Sequence, residues 1–276
     1  MILVTGATGT VGGEVVAQLH AAGVPTRVLT RSPAAARVPD TVEVAGADLS
    51  QPHTLEPALH DVDAVFLVWP FTTVEDAPAV IDAIARRTRR VVYLSAAGGQ
   101  RPEPEGQFHS EMEHLVESSD LDWTFLRPSG FASNTLTWAD QIRGDGIVRW
   151  PFGAAARSLI HERDIADVAV RTLTEDGHAG AKHVLTGPEL ITQAEQVRAI
   201  GAAIGRQTRW EEIPPEAIRD ALASAFGNAT FADHALATWA RFVDEPELVT
   251  STVEEITGAP PRPFREWAVD HADDFG

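Results

Sequence analysis

The sequence contains no cysteine. That excludes disulfides, thiolate-held zinc, iron–sulfur clusters and a cysteine nucleophile, and it suits a reducing cytoplasm, the expected location. No stretch approaches the ~20 apolar residues of a membrane span. The chain opens on Met-Ile-Leu-Val, without the basic segment that begins a secretory signal. Lys182 is the only lysine and Tyr93 the only tyrosine. Positive charge is scarce: 22 Lys and Arg stand against 40 Asp and Glu, for a net charge of −18. From Glu211 to Gly276 there are 14 acidic and 4 basic residues. A solvated acidic surface of this kind aids solubility and repels nucleic acid and anionic membrane, so neither is an expected partner.

What is present is an ordinary globular composition. With 276 residues and 44% hydrophobic content, the chain can form one large domain, or a nucleotide-binding domain with a smaller lobe. Met1–Thr5, Val24–Thr30, Ala64–Val68 and Val91–Ser95 read as strands, most of them continuously apolar as strands buried on both faces are, and Leu121–Leu126 and Lys182–Thr186 read as further strands. Helical patterns separate them: a stripe of Val11, Val15, Val16 and Leu19, then Gln51–Leu59, Val74–Arg87, Phe108–Ser118 and Glu162–Thr174. Thr192-Gln-Ala-Glu195 is a capping box opening a helix to Ile204. The alternation predicts a Rossmann-type α/β fold, a doubly wound parallel sheet with a smaller, mostly helical C-terminal lobe. Residues 1–128, rejoined by 160–186, are expected to form the dinucleotide-binding domain, and 129–159 with 187–276 the substrate lobe.

Gly6-Ala7-Thr8-Gly9-Thr10-Val11-Gly12 lies between the first strand and the first helix. Glycines spaced G-x-x-G-x-x-G let the backbone turn sharply and let a pyrophosphate approach the helix N-terminus, whose free N–H groups and dipole favour an anion. Gly6, Thr8, Gly9, Thr10, Val11 and Gly12 are therefore candidate cofactor residues. The second strand ends in Thr30-Arg31-Ser32, where NAD-preferring sites carry an acid. The fork of Arg31 suits a 2′-phosphate and Ser32 adds a hydrogen bond, so NADP(H) is preferred, with NAD(H) a second choice. The bland alternative for Arg31 is a surface arginine.

These residues resemble the NmrA-like, or atypical short-chain dehydrogenase/reductase, family. The resemblance lies in Val4-Thr5-Gly6-Ala7-Thr8-Gly9, Thr30-Arg31-Ser32, Ala47-Asp48-Leu49, Leu94-Ser95-Ala96-Ala97-Gly98, Leu126-Arg127-Pro128 with Phe131 and Asn134, and Asp164-Ile165-Ala166-Asp167. It implies Asp48 and Leu49 beside the adenine, Val68, Trp69 and Pro70 along the ribose and nicotinamide path, and Ser95 at the cofactor. It also implies a catalytic Tyr-x-x-x-Lys pair in ordinary members, which this chain lacks. The tyrosine slot falls at Glu105 and the lysine slot at His109. His109 and Glu113, four apart on one helix face, can interact, and a carboxylate there would raise the histidine's proton affinity. His109 is thus the catalytic candidate, as ribose ligand, donor to substrate oxygen, or both. A helix-surface His–Glu pair is the alternative. No metal site is expected, because His109 and His114 are spaced i, i+5 and no third ligand is evident.

Reducing an isolated ketone leaves an alkoxide that needs a placed acid. Reducing a quinone leaves a phenolate whose conjugate acid has a pKa near ~10. A chain without the tyrosine therefore fits a quinone or polycyclic aromatic, and the resemblance implies the same, since the family includes quinone reductases. Trp69, Phe71, Ala97, Phe131, Trp138 and Phe152 are candidate substrate contacts, because flat rings suit stacking; core packing is the alternative for many of them. Some family members of bacterial aromatic-polyketide pathways are similar to this chain, and the resemblance extends to antibiotic biosynthesis, where a reduced quinone reacting with O2 supports a monooxygenase-type hydroxylation. The rival reading is a non-catalytic NADP(H)-sensing regulator that docks on a protein partner.

Overall fold

The computed structural model describes residues 1–97, 107–226 and 229–276. The strands are β1 (Ile2–Val4), β2 (Thr26–Thr30), β3 (Glu43–Gly46), β4 (Ala64–Leu67), β5 (Arg90–Leu94), β6 (Asp122–Pro128), β7 (Ile147–Trp150), β8 (Ala156–Arg157), β9 (Ala181–Leu185), β10 (Ile191–Thr192) and β11 (Arg209–Glu212). The α-helices are α1 (Thr10–Ala21), α2 (Ala77–Ala85), α3 (Gln107–Glu117), α4 (Ala139–Gly144), α5 (Glu162–Thr174), α6 (Gln193–Ala203), α7 (Glu216–Phe226), α8 (Ala229–Asp244), α9 (Thr252–Thr257) and α10 (Phe264–Asp270).

Seven strands form one parallel sheet in the order β3-β2-β1-β4-β5-β6-β9. Leu3, Val65, Leu67, Val91 and Tyr93 share a core with Val80, Ile81 and Ile84 of α2 and Met112 and Val116 of α3. Their strand neighbours Ile2, Val4, Phe66 and Val92 are as deeply buried, so both faces are covered, as a parallel sheet requires. Helices α1 and α5 pack together, and α5 also meets α9. Chain order reverses between β1 and β4, the place where open sheets of this kind leave a crevice at the carboxyl ends of their strands.

The backbone departs from the sequence expectations in four places. Gln51–Leu59 is not a helix; it holds a single 3-10 turn at Pro52–Thr54. Pro57 has no N–H to continue a helical ladder and disfavours a helical residue before it. Strand β3 had no apolar run to betray it, because as an edge strand it is largely exposed. Strand β6 continues through Pro128, which pairs with Leu185 at the strand's end, where a missing N–H costs little. Helix α9, assigned above to the C-terminal lobe, packs on α5 and β9 and belongs with the sheet.

The chain divides into two compact units. The first comprises Met1–Pro128, Glu162–Leu185 and Thr252–Ala259 and holds the seven-stranded sheet. The second comprises Ser129–His161, Thr186–Ser251 and Pro260–Gly276. It contains two small sheets, β7 with β11 in parallel and β8 with β10 antiparallel. Its own core is rich in tryptophan: Trp138, Trp150 and Trp267, with Trp210 and Trp239 packed against them.

Candidate nucleotide site and active site

The glycine loop is built so that only glycine fits at two of its positions. Gly6 has φ +62°, and a Cβ there would lie 2.8 Å from the Val68 Cβ. A Cβ on Gly12 would come within 2.2 Å of the Gly6 carbonyl oxygen. The loop is held by the Gly9 amide donating to Gly6 O and the Gly13 amide donating to Gly9 O. Thr8, Gly9 and Thr10 are exposed, and Gly9 starts α1 with no side-chain cap and no acid in the first turn. An exposed, uncapped helix start cradled by backbone is the right chemistry for a pyrophosphate. Val11 and Gly12 are buried, so Val11 has only its amide to offer.

Around this loop the remaining cofactor candidates divide into exposed and occupied groups. Arg31 and Ser32 are exposed just after β2, where the Ser32 amide donates to Thr30 Oγ1 at 3.1 Å. The Asp48 carboxylate accepts from the Ser50 amide and hydroxyl at 3.0 and 2.9 Å. Those bonds, with the nearby charge of Arg31, hold its carboxyl below the usual carboxylate range. Leu49 is buried in the core. Val68 is half-buried, and its amide donates to the Thr5 hydroxyl at 2.7 Å, locking the end of β4 to the end of β1. Pro70 is exposed.

The expected His109–Glu113 pair does not form. Glu113 is buried and accepts from Arg127 Nε at 2.9 Å, from the Arg127 Nη2 group, and from the Ser95 hydroxyl at 2.6 Å. Arg127, almost fully buried at the end of β6, needs a carboxylate and takes this one. Ser95 therefore spends its hydroxyl inside the protein. His109 turns instead to Tyr93, with Nδ1 and the phenol oxygen 2.8 Å apart. Burial pushes the His109 pKa down to about 4, and the nearby Glu113 charge opposes this only in part. The raised proton affinity expected from Glu113 is thus reversed, because desolvation of the imidazolium outweighs the carboxylate. Burial also raises the Tyr93 phenol above its ordinary range.

The Tyr93 partnership was legible only in part. Its position, two residues from Val91 in β5, puts it on the face that α3 covers, but which α3 side chain it meets is a tertiary fact. The tyrosine slot at Glu105 and the Gly98 end of its flanking motif lie outside the described residues. Lys182 gives no substitute for the missing lysine. It pairs with Glu117 and lies over the rings of Trp123 and Phe125.

The aromatic candidates also separate. Trp69 is buried, its indole N–H donates to Thr73 O at 2.8 Å, and Phe71 meets it edge-on at 5.1 Å. Trp138 is a correction. It is core, packed edge-on against Trp150 and Trp210, and its Nε1 is buried without a hydrogen-bond partner among the described residues. Phe71 of the first unit, and Phe131 and Phe152 of the second, are only half-buried, as is Ala97. Phe152 has φ +63°, rare for a bulky residue. Its amide and that of Gly153 donate to the Glu212 carboxylate, which also accepts from Trp210 Nε1 at 2.8 Å. Among the described residues no cluster of three or more His, Asp and Glu could hold a metal ion.

An exposed glycine turn on an uncapped helix, at the switch point of a parallel sheet, defines a dinucleotide-binding protein. The profile of the family described as NAD(P)H-binding matches residues 6–176, and the chain belongs to that family. A reductase of Streptomyces griseus subsp. griseus, (4-alkanoyl-5-oxo-2,5-dihydrofuran-3-yl)methyl phosphate reductase, is 40% identical over 100% of this chain and 99% of its own. An NAD(P)H azoreductase of Xenophilus azovorans is 36% identical over the same shares of the two chains. An NADPH-dependent quinone oxidoreductase from Escherichia coli, solved with NADPH, shares the fold at a TM-score of 0.82 and 23% identity, covering 98% of this chain and 99% of its own. Triphenylmethane reductase of Citrobacter sp., solved with NADP(H), does so at 0.81 and 22%, with the same coverage. The chain is an NAD(P)H-dependent oxidoreductase, and its sequence contains no Tyr-x-x-x-Lys pair.

Proposed function

We propose that this enzyme reduces a conjugated, electron-poor acceptor, a quinone or a comparably delocalised planar ring, and that it prefers NADPH. The observation that carries the proposal is the absence of a placed acid among the described residues expected to do the chemistry. Tyr93 is sealed in β5 against His109, Lys182 is paired with Glu117, and His109, with its pKa down at about 4, is neutral near pH 7. When bound, the nicotinamide supplies a hydride. A simple ketone would then carry charge on an alkoxide, far more basic than a phenolate and in need of a placed acid. A quinone spreads that charge into a phenolate near ~10, which water protonates. The names of the two relatives, a dihydrofuranylmethyl phosphate reductase and an azoreductase, describe conjugated acceptors as well.

The chain's own groups take the following parts. The backbone of Gly6–Gly12 holds the pyrophosphate, Arg31 and Ser32 receive the 2′-phosphate, and Asp48 lies beside the adenine. His109 lends a hydrogen bond to a ribose hydroxyl or to the substrate oxygen and does not act as a strong acid. Phe71, Phe131 and Phe152 are each candidate substrate contacts on the strength of their partly exposed rings. The test is NADPH consumption followed by absorbance with naphthoquinones and anthraquinones, against an unactivated aliphatic ketone. We expect kcat/KM for the best quinone to exceed that for the ketone by at least ~100-fold, the lower range of what a placed acid supplies. Comparable turnover of the ketone, or none of any quinone, would overturn the assignment. Running the assay with and without air reads whether O2 enters the product.

A further inference from the structure

The only tyrosine of the chain, Tyr93, falls within the strand Val91–Ser95 read from the sequence. Tyr93 is completely buried in β5, yet its hydroxyl lies 2.8 Å from His109 Nδ1 on α3. The ring of Phe108 lies against the imidazole, centroids 4.0 Å apart and planes 33° from parallel, and so fixes its plane.

A phenol hydroxyl in a dry interior must place its proton on an acceptor. Among the described residues, Tyr93 has one hydrogen-bond partner, the Nδ1 atom. Glu113, the carboxylate whose charge acts on the Tyr93 phenol, is already taken by Arg127 and Ser95. Were Nδ1 itself to carry a proton and donate it, two donors would face each other across 2.8 Å, or the phenol proton would be left buried and unmatched. Only one arrangement satisfies both groups: the phenol donates and Nδ1 accepts. Desolvation keeps the ring neutral at physiological pH, so its single proton is left for Nε2, which has no protein partner among the described residues.

We propose that Tyr93 is a positioning residue that locks His109 in the Nε2–H tautomer, so that the histidine presents one oriented N–H donor to an oxygen of cofactor or substrate. The proposal deepens the functional reading above and rests on its placement of His109 in the active site. It gives the tyrosine a new part: it steers a neutral donor where the ordinary pair would have supplied an acid. The tautomer of a neutral histidine is set by the hydrogen bond its other nitrogen makes, and here that bond comes from across the sheet–helix boundary.

The decisive experiment is nitrogen NMR on the full chain labelled with 15N-histidine, at pH 7.5, with the His109 signals identified by their loss in His109→Gln. The expected spectrum has an unprotonated Nδ1 and a protonated Nε2. A proton on Nδ1, or a charged ring, overturns the proposal without any appeal to activity. In Tyr93→Phe the His109 shifts should move toward a tautomer mixture, and quinone kcat should fall roughly 3- to 10-fold, the worth of one hydrogen bond. Unmoved His109 shifts in a folded Tyr93→Phe also overturn it. Full activity in His109→Gln, with the wild-type Nε2–H signature intact, would instead overturn the placement of His109 at the chemistry and leave the tautomer assignment standing.

Discussion

Helices α1 and α6 begin in opposite ways. At the start of α6 the chain answers its own needs: the Thr192 hydroxyl accepts from the Glu195 amide, and the Glu195 carboxylate accepts from the Thr192 amide at 2.9 Å. The Thr192 hydroxyl, donating to the Glu195 carboxylate at 2.7 Å, and after it the Thr192 amide hold the Glu195 carboxyl below its usual range. At the start of α1 nothing of the kind is present. Gly9 stands at the N-cap with φ −92° and ψ 173°, an extended backbone that any capping residue could adopt, and no acid follows in the first turn. With glycine at the N-cap, the missing side-chain cap costs α1 only about a few tenths of a kcal/mol. The two starts thus distinguish a helix whose end is structural from one whose end is kept open for an anion.

Three substitutions break or sharpen that contrast. Gly9→Asp would give α1 a cap of the kind α6 owns. Its Cβ would lie 3.3 Å from Gly6 O, a contact relieved by a shift of a few tenths of an ångström. Thermal stability should hold, since Asp and Gly differ by only a few tenths of a kcal/mol at an N-cap. NADPH affinity should fall by about 100-fold or more, because a carboxylate now occupies the anion's place. Titration calorimetry reads the affinity, and an unchanged value would remove the pyrophosphate from this loop. Next in size is Arg31→Ala, which should raise Kd for NADPH by ~10- to 100-fold, the worth of charged hydrogen bonds. It should leave NADH binding within about twofold, and equal losses for both cofactors would refute the 2′-phosphate role. The smallest effect belongs to Thr192→Ala. It should cost ~1 kcal/mol in denaturant unfolding and leave NADPH affinity as it was; any loss of affinity would mean the two helix starts are not independent.

A pH series tests the burial of His109. His109 has a folded pKa of about 4 against an ordinary 6.5. The unfolded chain therefore takes up a proton that the folded chain refuses, and stability falls as pH drops from about 6.5 toward 4. The His109→Gln variant should lose less stability over that window than wild type, by a few kcal/mol at most on the order of the shift. An identical slope in both would mean His109 is solvated, which would also remove the reason for its neutrality.

Much of the first unit could be read before folding was considered. The period of the apolar runs and the position of Gly6, Gly9 and Gly12 are local properties, and backbone sterics make them hard to mistake. The capping box at Thr192–Glu195 is local in the same sense. Misreadings arose where local pattern and context disagreed. Pro57 interrupted an otherwise helical stretch, and the exposed edge strand β3 had no apolar signature to show.

The site followed a different rule. His109 and Glu113 are neighbours on a helix face, and from the sequence they had to be each other's partners. Arg127 and Ser95 lie 14 residues and more away along the chain, and they claimed Glu113 once β5, β6 and α3 came together. That left His109 to Tyr93, and burial set its charge. Trp138 likewise looked like a substrate contact until Trp150 and Trp210 closed around it. By itself the sequence determined the sheet, the phosphate loop and the loss of the usual catalytic pair, because each depends on residues within a few positions of one another. Tertiary structure alone decided which polar groups were paired, which were neutral and which rings were still exposed, because hydrogen-bond competition and desolvation are properties of surroundings that exist only after the chain has folded.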